Sequence, residues 1–207
     1  NSGYAMLGDI FNRYGVQTKS LLNRPTTSDL SKASIYIIVD PDTEKETEKP
    51  NYIDPKLPIS LSSWVNNGGV LVLLSNDASN AEFKNFNKLA AKFGIQFNED
   101  SKNRVQNDQY EQGAVITSTD NLIFTPNRKL FIKEYSSLQV TSPAVTVLKN
   151  GEDNVMAVAK YGKGTVFAFG DPWIYNEYLD GRRLSPGFDN YAAAEEWVKW
   201  LIKQTKW

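Results

Sequence analysis

"NNGGVLVLLSND", residues 66–77, decides how the rest of the chain is read. Asn66 to Gly69 stop a helix. Residues 70–75, "VLVLLS", are an apolar run, the mark of a strand covered on both faces. Ser75, Asn76 and Asp77 then place polar groups at its carboxyl end. Two other runs share this plan. "SIYIIVD", 34–40, ends in Asp40 with Asp42 close behind. "TVFAFGDPW", 165–173, ends in Asp171 and Trp173.

Helical stripes separate these strands. Tyr4, Leu7, Phe11 and Tyr14 share one face, as do Leu61, Trp64 and Val65 within 59–67. Phe83, Phe86, Leu89, Ala90 and Phe93 form a third stripe, and Tyr191, Ala194, Trp197, Val198 and Leu201 a fourth. The cadence helix, glycine, strand recurs in "RYGV", "NGGV" and "KFGI". This alternation predicts an α/β fold with a mainly parallel sheet covered by helices on both faces. "VQTKSLL", 16–22, reads as a further strand. "NVMAVAKYGKGTVFAFGD" reads as a hairpin, 154–161 and 164–170. The polar stretch at about 98–150 reads as a β-rich insertion in one domain of 1–207, with strand candidates at 114–118, 130–134 and 144–149. Asp189 or Asn190 is expected to cap the last helix, and Asp77 or Asn80 the third. The chain enters a helical pattern at once, so it reads as a piece of a longer protein.

Composition narrows the chemistry. With no cysteine and no histidine, thiolate nucleophiles, Ser-His-Asp schemes and Cys- or His-ligated metals are excluded. Net charge is −1 with Lys and Arg scattered, so no nucleic-acid footprint is present. No run approaches a membrane span. Neither a cofactor nor a bound metal is expected.

The candidate site is the mouth where the three strands end, since ligands of open parallel sheets sit outside the carboxyl ends. It comprises Asp40, Asp42, Ser75, Asn76, Asp77, Asp171 and Trp173, with Asn176, Glu177 and Arg182 just beyond. Loop 41–58 leaves from the same edge. Taken singly, each acid or amide is a helix cap or an Asx-turn, and each aromatic is packing. Taken together, three polar strand ends point to a ligand.

"GGVLVLLSND", "NKLAAKFGIQFNED", "GKGTVFAFGDPWIYNEYLDGRRL" and "FDNYAAAEEWVKWL" resemble a C-terminal domain of secreted unsaturated glucuronyl and rhamnogalacturonyl hydrolases, notably of gut Bacteroidetes. The resemblance covers nearly the whole chain. It implies a flavodoxin-like, class I glutamine amidotransferase-like three-layer sandwich, and a first strand lying before Asn1. It also implies a periplasmic or secreted parent with a helical glycoside-hydrolase catalytic domain as partner. The amidotransferase triad is gone: Ser75 or Asn76 stands near the nucleophile's place, and no histidine exists to activate either. The leading reading is therefore a non-catalytic accessory domain, structural or oligosaccharide-binding. A carboxylate-based hydrolase using Asp40 with Asp171 or Glu177 comes second. A calcium-type site of Asp40, Asp42, Asp77 and Asp171 comes third.

Overall fold

The computed structural model describes residues 3–205, apart from the Trp173 side chain. Helices α1 (Ala5–Arg13) and α2 (Thr27–Ser31) precede strand β1 (Ile35–Val39). Then come α3 (Leu57–Asn66), β2 (Val70–Leu74), α4 (Phe83–Ala90) and β3 (Ile95–Phe97). Strands β4 (Ala114–Ile116), β5 (Lys129–Phe131), β6 (Leu138–Val140) and β7 (Ala144–Asn150) follow. A hairpin of β8 (Asp153–Tyr161) and β9 (Gly164–Phe169), then α5 (Asn190–Gln204), complete the chain. No described helix is long and apolar enough to cross a membrane.

The sheet corrects the expected architecture. Its path is β1-β2-β9-β8-β6-β3, with β7 also on β8. Only β1, β2 and β9 run parallel. Every other pairing is antiparallel. The result is a mixed sheet curled into a half-barrel, not a flavodoxin-like or amidotransferase-like three-layer sandwich. The tight turn at Gly162 is one cause. Its φ of +57° suits glycine, and so short a connection joins only antiparallel neighbours.

Strand β8 is the other cause. Residues 156–161 pair with β9 and 153–159 with β7, so these two lie on opposite edges. Asn154 faces both Lys149 of β7 and Leu138 of β6. Strand β6 therefore shares β9's edge, end to end with it. The junction is close: Ser136 N–H donates to Gly170 O at 3.0 Å, and a Cβ on Gly170 would stand 1.8 Å from Ser136 O.

Alternation sorts the core. Val70, Val72 and Leu74 of β2 join the cluster under α1 and α5, with Phe167 and Phe169 of β9. Leu71, Leu73, Val166 and Ala168 face α3 and α4. All nine are fully buried, at about 1.5–3 kcal/mol for each large side chain. Strand β1 is half-buried along its length and pairs with β2 alone. The strand expected before Asn1 lies outside the described residues.

Local details differ too. Residues 16–22 form no strand, and Leu22 stands 89% exposed; alternation without a pairing partner does not make a ladder. Strands β6 and β7, from the region read as an insertion, enter the main sheet, while β4 and β5 pair separately. Helix α4 is capped by Glu82, whose carboxylate accepts from the N–H groups of Asn85 and Phe86. Asp189 holds Lys129 N–H instead of capping α5. Asn190 accepts from Phe131 N–H and donates to Tyr178 O. Both side chains tie α5 to the segment around β5.

Candidate functional site at the parallel strand ends

Register places the site. Val39, Leu74 and Phe169 lie abreast. Asp40 N–H continues the ladder to Leu74 O at 2.8 Å, and Ser75 N–H to Phe169 O at 2.9 Å. Asp40, Ser75 and Gly170 thus reach the mouth together, with Asn76 and Asp171 one residue further on.

Asp40 turns the chain away from the sheet in a left-handed conformation, φ +44°. This costs a non-glycine residue about 1 kcal/mol, and Asp tolerates it better than most. Burial pushes its carboxyl up to about 6, against the opposing hydrogen bond from Asn76. The charges of Glu46, Asp42 and Asp77 push the same way as burial. Asn76 Oδ1 accepts Asp77 N–H at 2.9 Å, which leaves its amide group to serve Asp40. Asp40 Oδ1 is buried with no hydrogen-bond partner among the described residues.

Asp171 is 1% exposed. Its charge acts on two phenols. Tyr4, at the head of α1, feels both Asp40 and Asp171; burial is the largest cause of its strongly raised pKa. Tyr175 is buried, and burial then Asp171 hold its hydroxyl protonated. That hydroxyl has no hydrogen-bond partner among the described residues, and neither has Ser136 Oγ. The Tyr175 ring stacks on Trp197 with centroids 4.1 Å apart and planes at 12°. Asn176 hydrogen-bonds the Tyr4 phenol, with the effect of lowering its pKa. The Asn176 amide also lies so close to Gly3 that a Cβ there would stand 2.0 Å from Oδ1.

The mouth thus gathers Asp40, Asn76, Asp171 and Asn176 of the expected residues. Asp42 is exposed and acts on Asp40 only through its charge. Ser75 is buried, and its hydroxyl donates to Asn76 O at 3.3 Å, so it faces no base. Asp77 is structural: Asn80 donates to Oδ1 at 2.7 Å and the Ser101 hydroxyl to Oδ2. Glu177 pairs with Arg183, and Arg182 with Asp180 at 2.8 Å. Trp173 opens a 3₁₀ turn, Trp173–Tyr175, and its side chain lies outside what is described. No three acidic side chains among the described residues are placed to hold a metal ion, so the calcium reading has no ligand set there. Sequence reasoning missed Tyr4, Tyr175 and Ser136. Tyr4 matched a helical stripe, Tyr175 looked like packing, and nothing about Ser136 signalled its position against Gly170.

Comparison with known proteins defines the class: this is a glycoside-hydrolase-associated domain. The family described as the lacto-N-biose phosphorylase central domain matches residues 27–175, and the chain belongs to that family. No curated protein sequence matches it. Among solved structures, the N-terminal domain of mmIFT52 shares the fold with a TM-score of 0.71 at 17% identity, covering 97% of this chain and 91% of that one. The cytoplasmic protein STM1381 from Salmonella typhimurium LT2 has a TM-score of 0.67 at 17% identity, covering 100% and 89%. The exo-beta-1,4-mannosidase Op5Man5 from Opitutaceae bacterium strain TAV5 has a TM-score of 0.55 at 15% identity. That match covers 99% of this chain but 31% of the mannosidase. These likenesses establish the fold alone.

Proposed function

We propose that this chain is a non-catalytic accessory domain of a polysaccharide-degrading protein, and that its strand-end mouth holds a saccharide. One observation carries the reading. The mouth of a glycoside-hydrolase-associated domain presents carboxylates, amides and phenols, includes at Asp40 Oδ1 a buried acceptor with no partner among the described residues, and turns the Ser75 hydroxyl onto a backbone carbonyl, away from any base among the described residues. Such groups suit sugar hydroxyls, which both donate and accept. The parent in this reading is periplasmic or secreted, with a helical glycoside-hydrolase domain as the partner against which this one packs. The unsaturated glucuronyl hydrolases are the candidate parents, on the sequence resemblance.

The second reading, a hydrolase in its own right, draws on Asp40, since a carboxyl pushed up to about 6 suits a general acid. Calorimetry of the whole chain with a panel of oligosaccharides, run beside a glycoside hydrolysis assay, separates the two. Heat of binding without turnover is the expected result. Turnover abolished by Asp40→Asn would replace this reading with the second. Neither heat nor turnover would remove the saccharide from the proposal.

A further inference from the structure

We infer that the groove between α4 and the first turn of α3 docks an acidic amphipathic helix of a partner protein. This does not rest on the saccharide reading, since the groove shares no residue with the strand-end mouth.

Shape comes first. The groove encloses about 500 Å³, within the usual range of binding clefts. Ile53, Pro58 and Ile59, from the loop before α3 and its first turn, form one wall. Lys88, Ala91 and Lys92, from α4 and the 3₁₀ turn Ala91–Phe93 that extends it, form the other. The apolar wall is open to solvent, with Ile59 68% exposed. A groove with aliphatic walls beside a helix suits the apolar stripe of another helix. No aromatic ring lines it among the described residues, so it lacks the flat face on which a sugar stacks.

Charge selects the occupant. Lys84, Lys88 and Lys92 recur one helical turn apart on α4 and its extension, and all three are exposed. None makes an ion pair with a described residue; Lys88 Nζ donates to Asn85 Oδ1 at 2.9 Å. The acids beside them are already engaged. Asp54, which lines the groove, pairs with Arg24 and accepts from Lys56 N–H at 2.9 Å. Glu82 caps α4. The groove therefore presents uncommitted cations along an apolar cleft. Glutamates one turn apart on a partner helix match that interval, and complementary charge fixes register and choice of partner.

A fluorescein-labelled helical peptide of about 15 residues, with a leucine stripe flanked by glutamates, tests this by anisotropy against the whole chain. The same peptide with lysine for glutamate, and an oligogalacturonate, are the rival probes. The glutamate peptide should bind about tenfold tighter than the lysine peptide and move the side-chain amide NMR signals of Asn85. Lys88→Glu with Lys92→Glu should weaken it about tenfold, and Ile59→Ser about fivefold. These side chains are exposed, and melting transitions would show each variant folded. Equal binding of the two peptides, or binding untouched by the variants, would overturn the inference. Oligogalacturonate moving Asn85 in place of the glutamate peptide would give the groove to an acidic polysaccharide and overturn it too. Dimerisation of the chain, lost on Lys88→Glu, would give the groove to a second copy instead. Binding of no probe would leave the groove without an acidic occupant and end the proposal.

Discussion

The two halves of the sheet treat polar groups in opposite ways. In the antiparallel half they pair with one another. Asp100 accepts from Ser137 N–H and Oγ–H, Asn98 bridges Ser137 and Gln139, and Asn154 links Thr146 to Leu138 O. Asn87 closes both ends of its contact with Phe97. In the parallel half the strands are apolar apart from Thr165, and polar groups crowd at the carboxyl end. There Asp40 Oδ1, the Tyr175 hydroxyl and, where β9 meets β6, Ser136 Oγ lack partners among the described residues. Buried polar groups in folded proteins are nearly always paired. The difference teaches that the antiparallel half is finished as structure, whereas the parallel half ends in groups poised for something else.

The contrast can be broken by removing what holds the mouth together. Trp197→Ala takes away the ring on which Tyr175 stacks and which also meets Phe11 and Phe167. It should cost about 3–5 kcal/mol in denaturant unfolding. Gly170→Ala forces a methyl against the Ser136 carbonyl. A loss of about 1–3 kcal/mol is expected, and a neutral result would show that the β9–β6 junction is slack.

Asp40→Asn sharpens the contrast through pH. The folded carboxyl titrates near 6, above its ordinary value of 3.8. A raised carboxyl favours the protonated fold, so its contribution is most favourable below pH 3.8. That contribution is lost as pH rises through 6. The variant should therefore gain about 1–3 kcal/mol over the parent at pH 7 and nothing at pH 3.5. The difference between the two proteins is the quantity to measure, because Glu196 and Asp180, whose values are lowered, slope the other way in both. Smallest of all, Arg182→Ala should change stability by less than about 0.5 kcal/mol, since its pair with Asp180 is exposed. Melting curves at low and high salt would check that.

Much of this was legible in the sequence where a signal is local. The apolar runs of β1, β2 and β9, the stripes of α3, α4 and α5, and the "YGKG" turn each carry their period in adjacent residues. Asp40, Asn76, Asp171 and Asn176 come together because the parallel strands end in register. Pairing direction was not legible. Strands β3 and β6 read the same whether parallel or antiparallel, and no spacing shows that β6 continues β9's edge. Nor does a stripe residue such as Tyr4 announce that its hydroxyl feels the charge of two carboxylates.

Strand β9 has a consequence in time as well as space. Its pairing with β8 joins residues a short turn apart, whereas its pairing with β2 joins Val70 to Thr165. Loop closure of that length is slow compared with hairpin formation. The hairpin should therefore form early, and the β2–β9 seam should close among the last steps. Mutations in β8 that face β9 would then slow refolding, while mutations in β1 would mainly speed unfolding. Asp40, Asn76 and Asp171 come within reach of one another only at that closure, so the strand-end cluster would assemble with the final stage of folding.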